Sequence, residues 1–301
     1  MSQPISGTAQ GRYSVGVVCS VGVGAARGGR ARNEDNYLVC RDGRIGWRDG
    51  DAEQAVHVGP SPHVLLAVAD GMGGHEDGEL ASAAAVQAVS RLYARPVPAE
   101  PEATLREFLL DAHRRIRARV AVAGSVKMGT TLTVAWLVHT RVFWAHVGDS
   151  RLYHWREGRL TRISRDQTRH EFAHRDGRPT PPHPQHLSQN FIYGSRGLGN
   201  DAELRIDRGV DTGSFSVRVG DRLLLCSDGL SARVDDHWIG DVLKHVPDPA
   251  ACAVALMERA IVHQSDDNIT AVVLRVDDLD DIDDEDGDTS DWDEERTIVP
   301  V

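Results

Sequence analysis

The spacing of apolar positions changes along the chain, and each change predicts an element. Tyr13 to Val21 alternates partly between apolar and polar, and Val64 to Ala69 is a short continuous apolar run, so both read as strands. The polar, Gly-rich segment between them, Arg41 to Pro62, reads as a hairpin with an irregular loop. From Gly78 the period becomes helical: Leu80, Ala84, Ala88 and Leu92 share one face until Pro96 and Pro98 end the pattern. A second helix follows, with Leu105, Leu109, Ala112 and Ile116 as its apolar stripe. Strand-like runs return at Thr131 to Val138, Val142 to Val147, Leu152 to Trp155, Leu223 to Cys226 and Ile269 to Val276. Two more helices fit near Asp236 to His245 and Asp248 to His263. Strands in meander-like groups and helices in pairs predict an α+β fold of antiparallel sheets covered by helices, not alternating βαβ units.

Composition narrows the class. At 301 residues and 41% hydrophobic, the chain can bury a large core. Cys19, Cys40, Cys226 and Cys252 show no CxxC spacing, which argues against a zinc ribbon or a disulfide framework and for a reducing compartment. No signal-peptide order and no run near the roughly 20 apolar residues of a membrane span is visible, so the expected location is the cytoplasm, with no membrane contact. The net charge of -11 is local: residues 277–301 hold 13 of the 45 acidic residues and one of the 34 basic ones, Arg296. The remaining body is nearly neutral and lacks the basic stripe of a nucleic-acid binder. Like charges and little apolar surface make 277–301 read as a disordered tail, a candidate docking arm in which Thr289 and Thr297 are candidate phosphorylation sites.

Acidic residues recur at predicted strand ends: Asp35 beside Glu34, Asp70 before Gly71, Asp149 after Gly148, Asp228 before Gly229 and Asp267 before Asn268. Each alone is an ordinary turn residue. Carboxylates that converge without matching Lys or Arg repel one another, and cations relieve that repulsion. Oxygen donors of this kind select Mg²⁺ or Mn²⁺ over zinc or copper.

Six blocks carry a resemblance, in order, over almost all of residues 13–276: RARNED, VADGMGGHEDGELAS, GTTLTVAW, WAHVGDSRLYHWREGRLTRISRDQT, GDRLLLCSDGLS and SDDNITAVV. The chain resembles the metal-dependent serine/threonine protein phosphatases of the PPM family (type 2C), particularly the bacterial branch. That resemblance implies a four-layer α-β-β-α sandwich over residues 1–276, with a variable flap at about 165–195, followed by the acidic tail. It implies two Mg²⁺ or Mn²⁺ ions, and a third, weaker one. Asp70 matches the aspartate bridging two metals and the Gly71 carbonyl a ligand of the first. Asp228 and Asp267 match the carboxylates of the second metal, and Asp149 matches the residue sharing the third metal with Asp228. Glu34 and Asp35 match the acidic pair reaching the metals partly through water. Arg30 matches the arginine that holds the substrate phosphate, with Arg32 as its competitor in sequence. The implied reaction is hydrolysis of phosphoserine or phosphothreonine by in-line attack of a metal-bridging hydroxide. Phosphorylated proteins are then the partners, Ser/Thr kinases of the same cell among them.

Two positions depart from the family pattern. Met72 stands where eukaryotic members carry a histidine after the DG pair, which leaves His75 or a metal-bound water as general acid. The flap sequence TRHEFAHRDGRPTPPHPQH is unusual and contains His170, Glu171 and His174 in HExxH order, with His183 and His186 nearby. A zinc protease is therefore one alternative, although Gly177, Pro179, Pro181 and Pro182 stop any helix soon after the motif. A catalytically inactive, phosphatase-like regulatory binding module is the other, against which stands the complete aspartate set.

Overall fold

A computed structural model of the chain describes residues 13–59, 61, 63–72, 76–123, 128–177, 179, 192–194 and 209–279. The elements run in the order β1 (Tyr13–Ser20), β2 (Asn36–Arg41), β3 (Arg44–Asp49), β4 (Ala52–His57), β5 (Val64–Ala69) and β6 (Gly71–Met72). Two helices follow, α1 (Glu76–Tyr93) and α2 (Pro101–Ala123). Next come β7 (Met128–Thr130), β8 (Leu132–Val138), β9 (Arg141–Val147), β10 (Arg151–Arg156), β11 (Arg159–Arg162), α3 (Arg169–Arg175), β12 (Ile192–Gly194), β13 (Asp211–Ser216) and β14 (Arg222–Cys226). The last elements are α4 (Asp228–Ser231), α5 (Asp236–His245), α6 (Pro249–Val262) and β15 (Ile269–Val276).

Two antiparallel sheets stack between helices. One has the order β13-β9-β8-β5-β2-β3-β4 and the other β1-β15-β14-β10-β11. The continuous apolar runs exist because these strands are buried on both faces. In β5, Val64, Leu66 and Val68 face the other sheet, while Leu65, Ala67 and Ala69 face α1 and α2. In β14, Leu223 and Leu225 enter the same inter-sheet layer, whereas Leu224 and Cys226 pack against Ile239, Leu243 and Leu256 of α5 and α6. Period-2 side-chain alternation thus divides the core into three apolar layers, which is the four-layer α-β-β-α sandwich.

Several expected details change. Leu80 was expected on the buried face of α1, yet it is 44% exposed while Ala84, Ala88 and Leu92 are buried. Ala81, Ala85 and Val89 fill the space instead, because the face against the sheet is centred one residue later than the first apolar position suggests. A third, small sheet of order β12-β7-β6 joins the two expected ones. The packed body also runs past residue 276: Asp277 bonds Ser14 and Arg275, and Leu279 packs on the inter-sheet core. The rest of the acidic tail, with Thr289 and Thr297, lies outside the described residues. No described helix is long and apolar enough to cross a membrane.

Asp221, buried before β14, ties that strand to β10. Its carboxylate accepts from Arg156 Nε at 2.9 Å and Arg156 NH2 at 2.6 Å, from His154 Nε2 at 2.9 Å and from the Arg218 amide at 2.9 Å. Burial works against the charge, but these donors outweigh it and lower the pKa to about 2. A depressed carboxylate contributes stability above its unfolded pKa, and that contribution is lost as pH falls through the folded value. Asp221→Asn should therefore cost about 2 kcal/mol at neutral pH and flatten the decline in stability between about pH 4 and pH 2. Urea unfolding at a series of pH values measures both.

Candidate metal centre

Strand register brings the five predicted aspartates to one end of the sandwich. Asp35 precedes β2 and Asp70 follows β5, and across those strands Asn36 pairs with Ala69. Asp149 lies between β9 and β10, Asp228 begins α4 just after β14, and Asp267 lies just before β15. Arg151 pairs with Cys226 and Cys226 with Ala271, so the last three turns are neighbours.

Their charges act on one another. Burial first, and then the carboxylates of Asp35, Asp228, Asp267 and Asp149, push the Asp70 pKa well above the usual range. Asp35 is pushed up to about 7 by burial, against the hydrogen bonds from Thr270 and Ser227 and with the charges of Asp267 and Asp228 adding to the rise. Asp228 is pushed up to about 6 by burial and Asp267, offset in part by a hydrogen bond with Asp70. Asp149 is raised by burial and then by the charge of Asp228.

The backbone around each aspartate is pinned. Asp70 donates its N–H to Thr131 Oγ1 at 3.0 Å, and its carbonyl accepts from Thr130 Oγ1 and the Thr131 amide, both at 2.9 Å. Ser227 Oγ and Thr270 Oγ1 each donate to Asp35 Oδ2 at 2.7 Å. The Glu34 amide donates to Asn268 Oδ1 at 2.8 Å, and Asn268 Nδ2 donates to the Arg32 carbonyl at 2.9 Å. These hydroxyl and amide side chains were not singled out from sequence. Ser227, Asn268 and Thr270 lie within three residues of Asp228 or Asp267, whereas Thr130 and Thr131 were marked only by the matched block that contains them.

Two glycines permit the close approach of these turns. A Cβ on Gly229 would stand 1.9 Å from the Asn268 carbonyl, so only glycine lets the Asp228 turn lie against the Asp267 turn. A Cβ on Gly71 would stand 2.2 Å from the Gly78 carbonyl and 2.5 Å from that of Glu34.

Arg30 takes up a different partner from the one expected. Its Nε lies 2.9 Å from Asp267 Oδ1 and its NH2 donates to Oδ2 at 3.0 Å, so the expected phosphate fork holds an expected metal carboxylate. The pairing with Asp267 raises the pKa of the guanidinium, and Glu34 and Asp70 are near enough to add to it. With 53% of its side chain exposed, Arg30 faces the open side of the cluster.

Among the described residues, no three or more His, Cys, Asp or Glu side chains are closed up as a finished ligand set. The donors present nonetheless fit a hard divalent cation. Asp35 Oδ1 and Asp228 Oδ1 are buried with no protein hydrogen-bond partner, and unpaired carboxylate oxygens are costly to bury. Met72 follows Gly71 in β6, and His75 lies outside the described residues, as do His183 and His186. The HExxH segment forms a short helix, α3, that ends at Arg175, just before the Gly and Pro residues expected to stop it; the Thr168 hydroxyl caps it by accepting from the Glu171 amide at 3.1 Å. His174 on it is exposed, and no zinc ligand set accompanies it among the described residues.

Known proteins share this sequence pattern and this fold. The family profile described as Protein phosphatase 2C matches residues 46–259. The serine/threonine protein phosphatase PstP of Mycobacterium tuberculosis is 35% identical over 227 residues, covering 75% of this chain and 42% of that protein. The chain thus matches less than half the length of this relative. The serine/threonine phosphatase stp of Listeria welshimeri is 30% identical over 219 residues, covering 70% of this chain and 83% of that one. Among solved structures, the M. tuberculosis PstP/Ppp crystal structure superposes with a TM-score of 0.69 at 31% identity, covering 88% of this chain and 99% of that one. The PstP catalytic domain in complex with two manganese ions gives 0.66 at 31% identity, with the same coverage. The chain belongs to the protein phosphatase 2C family.

Gly229→Ala should cost about 1–3 kcal/mol, because backbone must move to admit the methyl group. It should also weaken Mn²⁺ binding measured by calorimetry. Gly240→Ala in α5, where the new Cβ would meet only Leu160 Cβ at 3.6 Å, should instead stabilise by about 0.5–1 kcal/mol and leave Mn²⁺ binding unchanged.

Proposed function

We infer that this chain is a metal-dependent phosphoprotein phosphatase that hydrolyses phosphoserine and phosphothreonine. The observation that carries the reading is a cluster of carboxylates from five separate turns, Asp35 and Asp149 buried and Asp70, Asp228 and Asp267 half-buried, two of which keep an oxygen without a protein partner. Asp70, the Gly71 carbonyl, Asp228 and Asp267 would hold two Mg²⁺ or Mn²⁺ ions, Asp149 and Asp228 a third, and Glu34 and Asp35 would reach them partly through water. When bound, such ions supply Lewis acidity that acidifies water and draws charge from phosphoryl oxygens.

The protein's own groups then have defined tasks. Ser227 and Thr270 fix Asp35 through one oxygen and leave the other directed at the cluster. Arg30 is a planar two-donor fork at the exposed rim, suited to two oxygens of a phosphate monoester once it leaves Asp267. Transition-state charge builds on those same oxygens, so the fork contributes to rate as well as to binding. Phosphorylated proteins, including Ser/Thr kinases of the same cell, are the proposed substrates. Four free cysteines suit a cytoplasmic location.

Purified protein with Mn²⁺ should release phosphate from p-nitrophenyl phosphate and from a phosphothreonine peptide. Asp70→Asn should lower kcat on the order of a thousandfold, and Arg30→Ala should lower kcat/KM roughly a hundredfold. Absence of phosphate release from either substrate at saturating Mn²⁺ and Mg²⁺ would sink the reading.

A further inference from the structure

Gln167 stands at the start of the variable stretch, and its side chain joins three separate places. Its own N–H donates to the Gly148 carbonyl at 2.6 Å, and the Gly148 N–H donates back to Gln167 Oε1 at 2.9 Å. The other end of the same carboxamide, Nε2, donates to the Gly209 carbonyl at 2.5 Å and to Asp211 Oδ2 at 3.1 Å. Gly209 and Asp211 are where the chain returns from that stretch to enter β13. Gln167 is 3% exposed, so water does not replace any of these bonds when they break.

Gly148 has no means of holding itself. Its φ of +113° lies outside the range of L side chains, and a Cβ there would stand 2.6 Å from Thr131 Cγ2. What holds the turn is Gln167 on both backbone groups, with His146 Nε2 adding a bond to the Gly148 carbonyl at 3.0 Å. The next residue is Asp149.

We propose that Gln167 is a positioning residue that ties residues 209–211, at the entry to β13, to the Gly148–Asp149 turn and thereby sets the aim of the Asp149 carboxylate. The metal half of this inference rests on the reading of Asp149 given above.

Two variants test it on the full chain. Gln167→Met removes all three side-chain bonds at similar volume; Gln167→Glu keeps the acceptor for Gly148 and loses both donors. In Gln167→Met, amide exchange should quicken about tenfold both at 147–150 and at 209–212, and the Mn²⁺ needed for half-maximal hydrolysis of p-nitrophenyl phosphate should rise about tenfold, with KM for that substrate within about twofold. In Gln167→Glu, exchange at 209–212 should quicken more than at 147–150. Loosening of 209–212 alone, or a lower melting temperature with an unchanged Mn²⁺ requirement and unchanged exchange at 147–150, overturns the proposal. If both windows loosen in Gln167→Met but Asp149→Asn leaves the Mn²⁺ requirement at the wild-type level, the tie stands and the metal role of Asp149 falls.

Discussion

Mutual repulsion of carboxylates gathered, buried or half-buried, at one end of the sandwich is the constraint on which the rest of the structure depends. The four charges that act most strongly on Asp70 are all negative, and burial removes the water that would screen them. The protein relieves this only partly. Asp35 receives two hydroxyl donors, Asp267 receives Arg30, and Asp228 shares a hydrogen bond with Asp70. Arg151, two residues after Asp149, is committed elsewhere, to Asp166 through two bonds of 2.9 and 2.7 Å. The remaining demand is for compact, multivalent positive charge, which side chains cannot deliver and divalent cations can.

Holding such a cluster requires rigid supports, and the layered core supplies them. β5, β14 and β15 are buried on both faces, so the turns at their ends leave a scaffold with little freedom to splay apart. At Gly71 and Gly229 backbone lies directly against backbone. A domain that spreads its acidic residues over distant turns can keep each turn locally simple while producing an electrostatic environment that no single turn could create.

Legibility from sequence followed the strength of the local pattern. Val64–Ala69, Ile269–Val276 and Asp236–His245 were read with their observed bounds, since long apolar runs and a capped helix carry their own signal. The short strands β6, β7, β11 and β12 had no such signal, being two to four residues long and defined by their partners. Leu80 was misplaced because a helical stripe is centred by what it packs against, whereas the Gly and Pro breakers from Gly177 onward were legible and α3 ends before them. The site aspartates were legible through their blocks, whereas Gln167, with partners 19 and 44 residues away, had nothing in its neighbourhood to mark it.

By itself, the sequence determined the layers, the identity of the acidic turns and the glycines between them, because periodicity, turn chemistry and ordered motifs are properties of neighbouring residues. Tertiary structure alone decided that Arg30 lies on Asp267, that Ser227 and Thr270 share Asp35, and that Gln167 joins Gly148 to Gly209. Those choices depend on distances between residues far apart in the chain, which strand register establishes and composition does not encode.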